Sequence, residues 1–463
     1  MFLGLFFLLF AYACFNGLIA SRNLSLWILL IGFLQDPARK LLAGEPIQMT
    51  ILVGIVLACA LLRQFFSDRQ ALFNPFIKWR SDMVLPLTLY LCLVFVQGIH
   101  SFIRYESVIV TGLGAIFYIA PLTAIVVGYY MFSKFENIAS FLIIYCLCAT
   151  AVAASILLSY WGFESELLGE VGSGLVIYDQ GTVLTAYSGF MRSSEVASWH
   201  IGACICFLII LLTHRTSFGS IALTSVTLLL LLSAVILTGR RKSIVQILVF
   251  ASVYLPVLRY YQGRLSNGFL ALSLICIVGL YTVSILSSSL QGTNYDLYIA
   301  RGASVFADVG GRFSQLGIGS IFWAYREYGI WGGGLGVASQ GAHHFVEGYT
   351  SGAGEGGLGK IVSELGLLAL IIFAWLGIAI ASHINRALLI VARIAPQRLA
   401  ILVGVVAFLV ANIPSFIVAS QAYGDVFILL VLGLLSSSLF AIPQQLTATI
   451  ESHFSRSALA GEQ

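Results

Sequence analysis

Apolar residues run along this chain in long blocks separated by short polar turns. The blocks are Phe2–Ala20, Leu24–Leu34, Ile47–Leu62, Val84–Ile99, Val108–Met131, Ile138–Trp161, Val196–Leu212, Ile221–Leu237, Ile244–Leu258, Phe269–Leu286, Ile361–Ala381, Leu399–Pro414 and Val426–Ala441. Apolar stretches of about 17–25 residues are long enough to cross a bilayer as helices. The pattern predicts an all-α polytopic membrane protein of about 12–13 transmembrane helices. Its shortest block, Leu24–Leu34, is followed by the polar run Gln35–Lys40, so a re-entrant segment is the alternative there. Met1–Ala20 lacks a basic leader and a cleavage site and reads as a retained helix.

The polar connections then set orientation. Lys and Arg in short loops favour the cytoplasmic side. Arg63, Arg69, Lys78 and Arg80 share one such loop, and Arg386, Arg393 and Arg398 share another. Counting spans from these anchors puts 162–195 outside, together with a long loop of 287–360 between the spans near 269–286 and 361–381. The whole chain, 1–463, is expected to form a single integral membrane domain. By the same count Arg240-Arg241-Lys242 lands outside, three consecutive cations where the rule disfavours them. A basic cluster at a helix start also opposes the helix dipole unless an anion shares the site.

Composition supports this picture. Hydrophobic residues make up 59% of the chain and charged ones 10%, too little charge to clothe a soluble domain of this length. The formal net charge of +4 therefore reports topology rather than a nucleic-acid partner. The eight cysteines all fall in apolar segments, so no disulfide framework is implied. No internal repeat of the kind common in transporters is visible.

Three features carry candidate chemistry. Gly189–His200 brings Arg192 and Glu195 to a helix start, with Ser193 or Ser194 as its cap. The basic turn offers arginines whose forked donors match phosphate oxygens, and two such arginine-bearing helix ends suit a diphosphate. The long loop interleaves Arg301, Arg312 and Arg326 with Trp323, Tyr325, Tyr328 and Trp331, aromatic faces suited to sugar rings and equally at home at a membrane interface. His343-His344 lacks a carboxylate framework, so no metal is expected. Glu355 stands at the mouth of the next helix and is the more accessible general base. Glu364, two turns deeper, reads as a maker of buried structural hydrogen bonds.

Together, Gly189–Trp199, the Thr238–Ser243 turn, the Arg312–Gly336 loop with its glycine run, and Glu355–Gly366 resemble the bacterial O-antigen ligase and O-antigen polymerase family of membrane glycosyltransferases. The resemblance covers roughly Gly189–Ala381. It departs from the family at Glu355, where ligases usually have His, and at Glu195, where a small or polar residue is common. It implies an enzyme of the inner membrane acting on its periplasmic or external face, without a cofactor. The donor would be a glycan on a polyprenyl diphosphate, and the acceptor another glycan or a lipid. Membrane lipids and other polysaccharide-assembly proteins are the expected partners, and no nucleic acid. Carried over, Arg192, Arg240 or Arg241, and Arg312 would contact the diphosphate, with Lys242, Glu195, Trp323 and Tyr325 also facing donor or glycan and Glu355 activating the acceptor. A ligase acting on a lipid or protein acceptor is the near alternative. A lipid-linked glycan flippase or a non-catalytic export partner is the rival from another class.

Overall fold

A computed structural model describes residues 2–19, 23–67, 81–169, 171, 176–179, 182–214, 218–262, 294–303, 309–339 and 356–460. The chain folds as an all-α bundle: α1 (Phe2–Ile19), α2 (Leu24–Lys40), α3 (Leu52–Ser67), α4 (Ser81–Tyr105), α5 (Val108–Met131) and α6 (Phe135–Tyr160) lead into a two-stranded hairpin. In that hairpin β1 (Val176–Asp179) pairs antiparallel with β2 (Thr182–Thr185). Then follow α7 (Ser194–His214), α8 (Phe218–Leu237), α9 (Arg241–Gln262), α10 (Asn294–Ala303), α11 (Val309–Arg312), a π turn (Phe313–Ile318) and α12 (Gly319–Tyr328). The chain closes with α13 (Gly357–Leu365), α14 (Leu368–Ile394), α15 (Leu399–Val418) and α16 (Val426–Ala460).

Among the described residues ten helices are long and apolar enough to cross a membrane, with Ile221–Leu237 a shorter apolar one. This is a multi-pass membrane protein. The expected span Phe269–Leu286 lies outside the described residues.

α7, α15 and α16 form the buried centre, where Trp199, Phe207, Phe408 and Phe427 are almost wholly enclosed. α1 and α14 stand at the periphery and expose Leu8, Ile371 and Ile378, as a lipid-facing helix should. Small residues let the central helices cross closely. A Cβ on Gly433 would overlap the Pro121 carbonyl, and one on Gly128 would overlap Ser437, so α5 and α16 meet nearly backbone to backbone.

The two ends of the bundle differ in chemistry. At one end Arg398 pairs with Glu136 at 2.9 Å, and the Tyr261 hydroxyl donates to Asn385 at 2.6 Å. At the other end lie the C-terminus of α2, the Gly189–Ser193 segment and the Thr238–Arg240 turn, which are joined by the contacts described below.

The expected span Ile361–Ala381 is broken at Gly366, where a φ of +80° separates α13 from α14, and several helices outrun their hydropathy blocks. α2 continues through Pro37 to Lys40, α14 runs past Ala381 to Ile394, and α16 continues through Pro443 to Ala460, well past the block end at Ala441. Hydropathy marks where the bilayer ends, whereas a helix ends where its backbone finds other partners. Past Pro443 the Thr447 hydroxyl donates to the Pro443 and Gln444 carbonyls at 3.2 and 2.9 Å, engaging backbone next to the proline.

The glycine run is threaded into the bundle rather than exposed. Leu335 is buried between α4 and α5: its N–H donates to the Gln97 carbonyl at 3.3 Å, and its carbonyl accepts the Ser101 hydroxyl at 2.6 Å. Gly336 has φ +85°, and a Cβ there would strike the Val110 carbonyl. Across from it, a Cβ on Gly114 would overlap the Leu335–Gly336 backbone. Gly114→Leu is therefore expected to cost about 1–3 kcal/mol by overpacking. Gly112→Leu, facing open space, should leave the thermal midpoint of the detergent-purified protein unchanged. Equal midpoints for the two variants would refute the insertion.

Candidate functional site

The site is built on the polar end of α2. Most of that helix is apolar and buried, yet it carries Gln35, Asp36 and Lys40 into the interior. A carboxylate in such surroundings requires a cation, and the chain supplies one from a distant segment. Arg192 Nη1 lies 2.6 Å from Asp425 Oδ2 and 3.7 Å from Asp36 Oδ1, and the Arg192 main-chain N–H donates to Asp36 Oδ2 at 3.1 Å. Lys40 Nζ donates to the Gly189 carbonyl at 2.5 Å and to the Leu167 carbonyl at 3.3 Å. Ser155 Oγ accepts the Phe190 N–H at 2.9 Å. Asp425 also caps α16, its Oδ1 accepting the Ile428 N–H at 3.1 Å.

Two cations against two carboxylates leave this knot formally neutral. Burial works against the Arg192 charge, but Asp425 and Asp36 overcome it and raise its pKa above the ordinary value. Beside the knot, Arg39 donates Nε to the Glu45 carbonyl at 2.9 Å. Burial first, and then the neighbouring Arg192 charge, lower the Arg39 pKa. The Asp36 and Glu45 carboxylates act in the opposite sense and offset part of that effect.

The basic turn abuts this knot. Thr238 is fully buried; its hydroxyl donates to the Val235 carbonyl at 2.6 Å and accepts the Arg240 N–H at 3.3 Å. Gly239, at φ +64°, reverses the chain. Only Arg240 belongs to the turn, since Arg241 and Lys242 form the first turn of α9. Arg240 Nε donates to Ser194 Oγ at 2.9 Å, and Lys242 is ion-paired with Glu195. Gln421, oriented with its amide nitrogen toward Glu195, donates to both carboxylate oxygens at 2.8 and 3.2 Å. From α10, Arg301 Nε donates to the Gly239 carbonyl at 2.9 Å and the Tyr298 hydroxyl to the Thr185 carbonyl at 2.6 Å. Ser193 rather than Ser194 caps α7, its hydroxyl accepting the Val196 N–H at 3.3 Å.

The structure therefore joins Arg192, Glu195, Arg240 and Lys242 within one end of the bundle and places Arg241 beside them. Arg192 is engaged by Asp36 and Asp425, and Lys242 by Glu195. Asp36, Lys40, Arg39, Asp425 and Gln421 were missed from sequence. A charged Asp-Pro-Ala-Arg-Lys end on a helix as apolar as α2 was the available signal.

Trp323, Tyr325 and Arg312 sit on elements other than those that build the knot. Trp323 and Tyr325 are on α12, which packs on α13, with Trp323 edge-on to Tyr328 at 6.1 Å and Tyr325 exposed. Arg312 ends α11, just before the π turn that packs on α15 through Gly317 and Ile417. Glu355 lies outside the described residues. The chain re-enters at Gly356, wedged against the Leu316 and Ile417 carbonyls and so close to the end of α15, whose following loop carries Gln421. Glu364 is buried and structural: one oxygen accepts Lys360 Nζ at 2.8 Å, the Ala338 N–H at 3.1 Å and Ser339 Oγ at 3.3 Å, tying the glycine-rich segment to α13.

An open cleft of about 600 Å³ adjoins the knot, lined by Glu164, Glu166, Leu168, Thr185 and Tyr187. Lys40 holds the carbonyl of Leu167, the residue between the lining residues Glu166 and Leu168.

Removing one partner of a buried ion pair leaves the other uncompensated. Asp425→Ala is expected to destabilise the protein by about 3–5 kcal/mol, with Arg192→Ala similar. The double variant should fall short of the sum by about 0.5–3 kcal/mol, measured as unfolding free energies in detergent. Strict additivity would mean the two side chains do not interact. Comparison with models of known protein families and with curated proteins finds no match for this chain.

Proposed function

We propose that this protein is a membrane glycosyltransferase that polymerises or transfers glycan from a polyprenyl-diphosphate donor on the outer face of the inner membrane. The observation that carries the reading is the gathering of Arg39, Arg240, Arg241 and Arg301 around a neutral ionic knot at one end of the bundle. In the reaction an acceptor hydroxyl attacks the anomeric carbon, the C–O bond to the diphosphate breaks and negative charge collects on the leaving group. Fixed guanidinium groups stabilise that charge without rearranging. Donors already aimed by Ser194 Oγ and the Gly239 carbonyl need little reorganisation.

Arg192 is then a positioning residue: its charge is spent on Asp36 and Asp425, and it fixes the start of α7. Lys242 and Glu195 form a similar brace. The cleft at Glu164, Glu166 and Tyr187 offers a sugar-sized space with an aromatic face and carboxylates. Glu355 remains the proposed base for the acceptor. Transfer to another repeat, a polymerase, is favoured over a ligase because Glu355 stands where ligases usually have His. Charge gathered at one end of the bundle, rather than along a path through it, favours an enzyme over a flippase.

The test is elongation of a purified lipid-linked oligosaccharide by the protein in liposomes, read as product length on a gel. Arg241→Ala should slow elongation by about 10²-fold, the order seen when one donor to a developing anion is lost. Unchanged product length and amount in Arg240→Ala, Arg241→Ala and Arg301→Ala alike would overturn the assignment.

A further inference from the structure

The Lys242–Glu195 pair has a second rung beneath it. Glu195 and Trp199 are four residues apart on α7, and Lys242 and Gln246 are four apart on α9, so each pair lies along one helix face. Both helices start at the charged end of the bundle. At the upper rung Lys242 meets Glu195 directly. At the lower rung Trp199 and Gln246 meet on a third helix. There Asn412 Oδ1 of α15 accepts the Trp199 indole N–H at 2.8 Å and the Gln246 amide N–H at 3.3 Å.

A fourth segment joins at the same point. The Tyr423 hydroxyl, from the connection that carries Gln421 and Asp425, lies 3.0 Å from Asn412 Oδ1 and 2.9 Å from the Asn412 main-chain carbonyl. The Asn412 amide nitrogen donates to the Phe408 carbonyl at 2.8 Å, which fixes the end of the carboxamide that faces the donors. Trp199, Gln246, Asn412 and Tyr423 are all buried, where polar groups are costly unless they are paired. Apart from Asn412 and Ser415, α15 consists of apolar residues, glycine and proline. One carboxamide oxygen is therefore shared by α7, α9 and the α15–α16 connection.

What this junction holds is the start of α9. Arg241 is its first residue, Arg240 directly precedes it, and Arg301 donates to the Gly239 carbonyl just before. A slip of α9 by one residue along its axis moves these groups by about 1.5 Å. From this arrangement we infer that Asn412 is a positioning residue that sets the register of α9 against α7 and so places Arg240 and Arg241. The inference rests on the role given to those arginines in the proposed reaction. A misplacement of about 1 Å in a reacting site costs about 10²-fold in rate. Stabilisation of charge that develops only in the transition state is lost from kcat and not from KM.

The experiment reads register and rate separately. A Cβ on Gly202 would lie 3.5 Å from the Ser243 Cβ, a spacing that a disulfide spans. Gly202→Cys with Ser243→Cys, in a background with the native cysteines replaced, should cross-link when iodine is added to the full-length protein in liposomes. Adding Asn412→Leu should slow that cross-link several-fold, whereas Asn412→Asp, which keeps an acceptor oxygen, should restore it. Without the cysteine pair, Asn412→Leu should lower kcat for elongation of a lipid-linked oligosaccharide by about 10²-fold with KM little changed. Asn412→Asp should recover most of that loss. Trp199→Phe removes only the α7 link, so it should move both readouts the same way by less, and it takes the place of Asn412→Leu if that variant does not fold. An unchanged cross-linking rate, or a slowed cross-link with kcat intact, would overturn the inference. Unsubstituted protein that elongates nothing would instead refute the reaction, and the cross-link would still decide whether Asn412 holds the register.

Discussion

One interaction holds the charged end of this protein together: a single guanidinium, Arg192, shared by Asp36 from α2 and Asp425 from the loop before α16. Groups so buried are tolerated only while they are paired, so the three segments are obliged to meet. Around that point Lys40 fixes the Gly189 carbonyl, Ser155 fixes the Phe190 N–H, and α7 begins in a set direction. Everything that converges on the start of α7 inherits that direction, including Ser194 against Arg240 and Glu195 against Lys242. The knot has no net charge of its own. Arg39, Arg240, Arg241 and Arg301 stand around it.

The same end of the bundle carries a second polar construction, and α15 with its following loop lies between the two. Asn412 on α15 accepts the Trp199 indole N–H at 2.8 Å and the Tyr423 hydroxyl at 3.0 Å, fastening the α15–α16 connection to α7. Phe416, one turn on, stacks with Phe117 at 6.1 Å, and Lys360 lies over the same Phe117 ring at 4.8 Å before reaching Glu364. A movement of the α15–α16 loop would therefore be felt by both the Gln421–Glu195 contact and the segment entering at Gly356.

Much of this was legible in the sequence because the bilayer makes hydropathy informative. The apolar blocks gave the helices, and basic loops implied that Thr238–Ser243 shares an end with Gly189–Glu195, where contacts now join Arg240 to Ser194. Other parts were hidden for physical reasons. Charge pairing across more than 150 residues, as between Asp36 and Arg192, leaves no local periodicity, so Arg192 read as a ligand contact although its charge is met inside the protein. The ends of α2, α14 and α16 were misjudged because a helix outlasts the apolar run that signals it. Gly332–Gly336 read as part of the long outer loop, and its burial between α4 and α5 depends on Gly114, an ordinary residue in a transmembrane block until the partner is known.

The central claim is that a cation-rich site, framed by the Arg192 knot, faces the outside of the membrane. Its most direct test is a single cysteine at Arg241 in a background with the native cysteines replaced, probed with a membrane-impermeant thiol reagent. Labelling in intact cells, suppressed by a diphosphate-bearing lipid, is the predicted result. Labelling only after the inner face is exposed would put the basic turn in the cytoplasm and contradict the account.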